Sequence, residues 1–211
     1  MSAIIPVPAG SIAVVVTHLE MKASPATGPV KPPLPGLSLW RVEQPSVDWY
    51  LPLYRRIGED FLWFSRLTMT DAQLRQAISA PTTAIYAVRD RDRDIGLVEL
   101  DWRHAPDCKI LFFGLVPDTI SRGIGSWMMT ETQRLAFDGG ARRLWLHTCT
   151  ADHPRALPFY LAHGFRAFKR EVEIAPDPRL YADVPSDAAA SLPIIAPPET
   201  AADTAASDSD P

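Results

Sequence analysis

Apolar positions change their spacing several times along the chain, and each change marks an element. Ser11 to Glu20 is short and rich in β-branched residues, which predicts a strand. Lys22 to Gly36 holds five prolines and predicts no regular element, only a surface loop or a tether. Leu37 to Val42 reads as a short second strand. From Ser46 to Gly58 the period lengthens to four, with Trp49, Leu53 and Ile57 on one helical face and Ser46 able to cap it. Thr70 opens a second helix, Asp71 to Ser79, which Pro81 stops. Thr83–Val88 and Ile95–Trp102 flank a charged turn and predict a hairpin. Lys109 to Val116 is almost continuously apolar, as a central strand covered on both faces is. A helix from about Gly123 to Phe137 ends at Gly139-Gly140. The strand Arg143–Thr148, a helix from Pro154 to His163 and a strand from Phe165 to Ile174 complete the series.

Antiparallel hairpin strands thus lead into a β-α-β-α-β half. The natural solution is an α/β (α+β) fold, a mixed, mostly antiparallel central sheet with helices on both faces. After Ala175 periodicity is lost. The expected organisation is an N-terminal strand plus proline-rich connector over 1–36, with strand 11–20 joining the sheet. A core follows over 37–175, and a disordered acidic tail over 176–211.

Composition sharpens this picture in three places. The 21 prolines crowd the two ends, and the six tryptophans lie between Trp40 and Trp145. Net charge is -4, but Pro176 to Pro211 carries seven acidic residues against one arginine, so the remainder is slightly basic. That remainder has no basic blanket of the kind nucleic-acid binding needs, and no nucleic-acid partner is expected. Two cysteines, Cys108 and Cys149, are too few for a disulfide framework or a four-ligand metal site, so no metal is expected. The N-terminal residues lack the pattern of a signal peptide, and no run of 18 apolar residues occurs. A cytoplasmic protein without a membrane partner is the expectation.

The strongest local chemistry lies where the central strand ends. Val116-Pro117 is followed by a short turn and then Gly123-Ile124-Gly125 at the head of a helix. A strand feeding a helix leaves backbone N–H groups unpaired at the helix start, and these suit a pyrophosphate. Glycine allows phosphate to approach the backbone closely, and Arg122 adds positive charge. The third glycine of a dinucleotide fingerprint is missing, as is the Gly-Lys-Ser/Thr of a P-loop. On the Gly-x-Gly alone, a turn that merely starts a helix explains the pattern as well.

Phe113 to Met129 resembles motif A of the GCN5-related N-acetyltransferases. His153-Pro154-Arg155-Ala156-Leu157-Pro158-Phe159-Tyr160-Leu161-Ala162-His163-Gly164-Phe165 resembles their motif B. With the element order, the resemblance covers Leu37 to Ile174. It implies an acyl-CoA N-acyltransferase fold whose sheet is splayed beside motif A. The donor, acetyl-CoA by family default, is expected between the strands ending at Val116 and Thr148. Backbone groups of Ser121, Arg122, Gly123, Ile124, Gly125 and Ser126 are expected to hold the pyrophosphate, and Leu115 and Val116 the pantetheine arm. The sequence departs from the family at Ile120, where Gln or Arg is usual, at Ser121, often Gly, and at His153, where Asn is common. Asp152-His153 is a candidate replacement for that Asn in bracing the loop.

The resemblance implies transfer of an acetyl group to a primary amine by direct attack in a ternary complex. Tyr160 stands at the family's general-acid position; its alternative is packing with Phe159 beneath the sheet. Glu99 and Asp101 alternate on one strand and point the same way, with Glu99 the first choice of base, and Asp101 and His104 behind it. The alternative is that both acids line a solvent face. His147 and Cys149 flank the thioester position and, with Asp152, are candidates to shape the acceptor pocket, a covalent Cys–His pair being the less favoured reading. Phe61, Trp63 and Phe64 offer an aromatic wall for the acceptor, with Trp102 on the strand side, or pack the core. Glu59, Asp60, Glu99 and Asp101 could form an acidic pocket for a polyamine. The acceptor stays open between a small amine and a protein amine, and a homodimer is possible in the family. A non-catalytic acyl-CoA sensor or interaction module would keep the fold and lose the chemistry.

Overall fold

The computed structural model describes residues 4–23, 28–120 and 122–198. Its elements follow the predicted series: β1 (Ser11–Met21), β2 (Leu37–Arg41), α1 (Val47–Gly58), α2 (Asp71–Ile78), β3 (Thr83–Asp90), β4 (Arg93–His104), β5 (Asp107–Leu115), α3 (Ile124–Asp138), β6 (Arg143–Cys149), α4 (Ala156–Ala162) and β7 (Arg166–Pro176). The helix starts are chemically explained. Ser46 Oγ accepts from Trp49 N at 3.2 Å, and Thr70 with Gln73 forms a full capping box. Along α1 the buried stripe is Val47, Tyr50, Leu53, Tyr54 and Ile57. Trp49 turns aside to donate its indole N–H to Asp94 at 2.8 Å.

The sheet has seven strands in the order β2-β3-β4-β5-β6-β1-β7. Every pairing is antiparallel except β5 with β6. Helices cover both faces, as Phe112 and Phe113 show. These neighbours on β5 point to opposite sides: Phe112 meets Tyr54 of α1 edge-on at 4.9 Å, and Phe113 lies 5.9 Å from Phe159 of α4. The N-terminal strand joins the sheet as expected, but in the interior. β1 is inserted between β6 and β7, and Ile12, Val14 and Val16 face the α1 side.

The described part of the proline-rich segment, residues 28–36, meets α3 at Val30. Val30 N donates to Glu131 Oε1 at 2.5 Å, and Trp127 Nε1 donates to Val30 O at 2.9 Å. Glu131 and Trp127 are a turn apart on one helical side, so nine residues of irregular chain are pinned without a ladder.

The disordered tail expected from residue 176 does not describe residues 177–195. Asp177 and Arg179, each 1% exposed, form a paired carboxylate and guanidinium. Arg179 also donates to the carbonyls of Ala188 and Leu192, both at 2.9 Å. Arg55 reaches Asp183 at 2.8 Å, Ala189 N donates to Asp60 O at 2.9 Å, and Gly10 N donates to Ile195 O at 2.6 Å. Val184, Ala188, Ala189 and Leu192 pack in a small second core with Ile12, Val14, Val16 and Leu62. Composition hid this because one arginine organises a segment otherwise built of small residues. The part of the expected tail over 199–211 lies outside the described residues.

Arg179 holds the Asp177 carboxyl below the usual carboxylate range. A lowered folded pKa means the pair contributes fully above the unfolded value of about 3.9 and is lost as pH falls through the folded one. Arg179→Met is therefore expected to cost about 3–5 kcal/mol and to abolish amide protection over Ala188–Leu192 at neutral pH. Hydrogen exchange with urea titration checks it, and wild type acidified below the folded Asp177 pKa should show the same loss of protection.

Candidate active site

β5 and β6 run parallel but stay paired only from Asp107–Arg143 to Lys109–Trp145. Beyond that register the strands part, although β5 continues to Leu115 and β6 to Cys149. The cause is local. Between β4 and β5 the register steps from Leu100–Ile110 to Glu99–Phe112, leaving Leu111 as an extra residue. Such a bulge bends its strand, and β5 swings away from β6 at this point. The split opens a cleft of about 450 Å³, the size of small-molecule sites.

Ile110 to Leu115 line one wall, and Leu146, His147, Cys149 and Asp152 the other. Tyr160 of α4 and Ile120 lie on the cleft as well, and Ile12, Val14, Val16 and Glu173 close its far end. Phe61, Trp63 and Phe64 all line it. Trp63 is wedged in place because Gly58 and Gly114 carry no side chain: a Cβ on either would lie 2.2 Å from the Trp63 ring or 2.3 Å from Ile57 respectively.

The phosphate end fits an anion. Gly123 adopts φ 76°, a left-handed conformation, as it turns the chain into α3. Among the described residues no side chain caps that helix at Gly123 and no acid sits in its first turn, which leaves the positive end of its dipole uncancelled. Ile124 is buried and anchors the turn, while Arg122, Gly123 and Ser126 face solvent. A Cβ on Gly125 would be in ordinary contact with Leu115 and Phe159 at 3.8 Å. Ser121 lies outside the described residues. Leu115 lines the cleft, but Val116 does not and spends its own backbone internally. Val116 N donates to Ile95 O at 2.9 Å, and its carbonyl accepts Thr119 Oγ1 at 2.8 Å.

Tyr160 meets the cleft, and no hydrogen bond among the described residues engages its hydroxyl. Burial, with the Asp152 charge, raises its pKa well above that of a free phenol. Glu99 and Asp101, the expected bases, are not brought to the cleft. Glu99 is 0% exposed; Tyr50 donates to one oxygen at 2.5 Å and Arg66 holds the other. Burial raises its pKa against the pull of Arg66. Asp101 is likewise buried, yet three bonds from Arg103 hold its pKa down. Both do share a face, as alternation required, but α1 and Arg66 cover it. The acidic pocket expected from Glu59, Asp60, Glu99 and Asp101 is accordingly not part of the cleft. Trp102 is also elsewhere: a Cβ on Gly139, at the far end of α3, would lie 3.2 Å from its ring.

His147 and Cys149 reach the cleft without a hydrogen bond between them. Burial, Lys109 and His18 push His147 down to about 4, so its ring is neutral at physiological pH. Burial and Asp152 push the Cys149 thiol up to about 11, which disfavours a thiolate nucleophile. His153 lies with its ring 5.5 Å from Phe61, and its Nδ1 accepts from Arg155 N at 3.1 Å. His18, 5.9 Å from His147 and bonded to Glu171 at 2.8 Å, carried no sequence signal because its partners come from β6 and β7. Among the described residues no group of three or more His, Cys, Asp or Glu is placed to hold a metal ion, and no helix is long and apolar enough to cross a membrane.

The architecture is a mixed sheet split between two parallel strands, with a helix start beside the opening. The model of the acetyltransferase (GNAT) family matches residues 47–165, more than half of the chain. The protein belongs to that family. A GCN5-related N-acetyltransferase from Sphaerobacter thermophilus superposes with a TM-score of 0.58 at 16% identity, over 78% of this chain and 52% of that one. A GNAT-family protein from Novosphingobium aromaticivorans gives 0.57 at 13% identity, over 82% and 70%. An aminoglycoside acetyltransferase from a soil metagenome gives 0.51 at 15% identity, over 61% and 88%. At these identities the likeness is one of fold, and the chain spans about half the length of the Sphaerobacter protein. No curated protein matches the sequence.

Arg66→Met is expected to lower stability by about 3–5 kcal/mol, because it strands the Glu99 carboxyl in the core. Arg66→Met with Glu99→Met should recover most of that loss. Urea unfolding of the two variants checks the pair, and equal losses would mean that the ion pair is not what Arg66 supplies.

Proposed function

We propose that the protein transfers an acetyl group from acetyl-CoA to a primary amine, by direct attack within a ternary complex. The observation that carries the reading is the split between β5 and β6 beside the free start of α3. Two strand edges inside a fold are left without partners, and such backbone groups are costly unless something pairs with them. A pantetheine arm has amides that can do so, and its pyrophosphate suits the N–H groups of Arg122 to Ser126. Ile120 in place of a polar residue removes one side-chain contact and leaves that backbone cradle.

Direct attack needs an acid for the leaving sulfur. A neutral Tyr160 hydroxyl on the cleft suits the task, since it keeps its proton until a thiolate develops. Cys149 remains a thiol, which weighs against a covalent acyl-enzyme. The sequestration of Glu99 favours one rival, an acyl-CoA sensor without turnover. Turnover on any amine excludes it.

Calorimetric titration with acetyl-CoA tests the cradle, with Gly123→Asp/Gly125→Asp as control. Micromolar binding by wild type and none by the double variant is expected, and no binding by folded wild type would contradict the reading. Tyr160→Phe should lower kcat by about 10²-fold or more with little change in the KM for acetyl-CoA. An unchanged kcat would remove Tyr160 from the chemistry.

A further inference from the structure

With Glu99 and Asp101 engaged elsewhere, the cleft is lined by two carboxylates, Glu173 of β7 and Asp152, and Asp152 is the one whose charge acts on the general-acid candidate Tyr160. Asp152 sits on the turn between β6 and α4, and the cleft wall includes it with Trp63, Cys149 and Tyr160. Its Oδ2 is fixed by two donors: Thr148 Oγ1 at 2.6 Å and Cys149 N at 2.8 Å. Both bonds go to the same oxygen. Oδ1 has neither of them, and with Trp63 as a further hydrogen-bonding neighbour the oriented carboxylate keeps acceptor capacity beyond the bonds that fix it.

From this geometry we infer that Asp152 receives the acceptor's ammonium group and takes its proton, and that the acceptor is a small primary amine on an apolar body. This rests on the acyl-transfer reading. The surroundings supply the specificity. Phe61, Leu62, Trp63 and Phe64 with Val14 and Val16 make the neighbouring wall apolar and largely aromatic. The C-terminal segment packs behind Leu62, Val14 and Val16 and backs this wall. Such a wall favours a hydrocarbon or aromatic ring and itself offers a second ammonium or a carboxylate no partner; the other cleft acid, Glu173, stands on β7, apart from this wall.

The step balances as follows. The ammonium gives one proton to Asp152, and the amine lone pair attacks the thioester carbonyl, forming the C–N bond. The C–S bond breaks, and the thiolate takes the Tyr160 proton. The second proton on the attacking nitrogen passes through water to the Tyr160 phenolate. The Asp152 proton leaves to solvent, so one proton is released per acetyl transferred.

Burial raises the Asp152 pKa, opposed by Thr148, Cys149 N and Trp63. A carboxylate so placed is a stronger base than one in water. The ionisable groups around it are Tyr160 on α4, Cys149 and His147 on β6, His153 on its own turn and Glu173 on β7. His147 is the competing base, but among the described residues no hydrogen bond orients its ring, whereas Thr148 and Cys149 N aim the Asp152 carboxylate.

The test uses the full chain, acetyl-CoA, and 2-phenylethylamine, phenylalanine and spermidine as probe acceptors. Wild type is expected to prefer 2-phenylethylamine. Asp152→Asn should bind acetyl-CoA as wild type does and lose about 10²–10⁴-fold in kcat/KM for the amine. The acid limb of the wild-type pH profile should vanish in it, leaving a rate that tracks the free-amine fraction. Thr148→Val loosens the same turn but keeps the carboxylate, so it should retain transfer and move the acid limb to higher pH. An Asp152→Asn variant with wild-type kcat/KM overturns the assignment. So does a Thr148→Val variant as impaired as Asp152→Asn, which would make the aspartate a brace for the turn. Preference for phenylalanine or spermidine, or no transfer to any of the three by protein that binds acetyl-CoA, overturns the acceptor class alone. Wild type that binds no acetyl-CoA overturns the acyl-transfer reading beneath it.

Discussion

Two parallel strands that pair for three residues and then part are the constraint around which this molecule is arranged. Parallel strands are normally buried and paired along their length, because an unpaired N–H or C=O inside a protein costs about as much as a lost hydrogen bond. Here the extra residue at Leu111 diverts β5, and the backbone from Ile110 onward turns its edge to the cleft. A bend costs little when made at a bulge. The unpaired edges suit a ligand that brings amides of its own.

Other features keep the split from collapsing. Gly58 and Gly114 make room for Trp63 and Ile57, which fill the α1 side of the opening. Phe113, Phe159 and Tyr160 support it from the other face. β1 stiffens the far strand by pairing β6 from Val16–Cys149 to Met21–Leu144, so that only one edge of β6 is left open. The C-terminal segment then covers β1 and Leu62, with Arg179 as its buried clasp. Segments that look dispensable in composition thus build one end of the cleft: β1 lines it, and residues 184–192 pack behind β1.

Much of this was legible along the chain. Period and punctuation located the strands and helices, since each depends on neighbours within a few residues. The turn at Gly123 to Ser126 was legible for the same reason. What was not legible depends on distant partners. Nothing near Ser11 to Met21 tells that the strand will lie between β6 and β7. Glu99 was placed correctly on its face, but the Arg66 and Tyr50 that cover it come from other elements. The family resemblance points Val116 at the pantetheine arm and strand position offers Trp102 to the acceptor or the core, whereas a bond to Ile95 and packing at Gly139 take them away from the cleft. Asp152 reads as a loop brace or a pocket group, and it does bond the turn; the two bonds that aim its carboxylate are what sequence could not show.

The claim at the centre is that the parted strands are a binding edge. Hydrogen exchange of the full chain, with and without coenzyme A, measures this directly. The amides of Ile110 to Leu115, of Leu146 to Cys149 and of Arg122 to Ser126 should gain protection together on binding. Protection confined to the turn, or no change in either strand at saturating ligand, would contradict it.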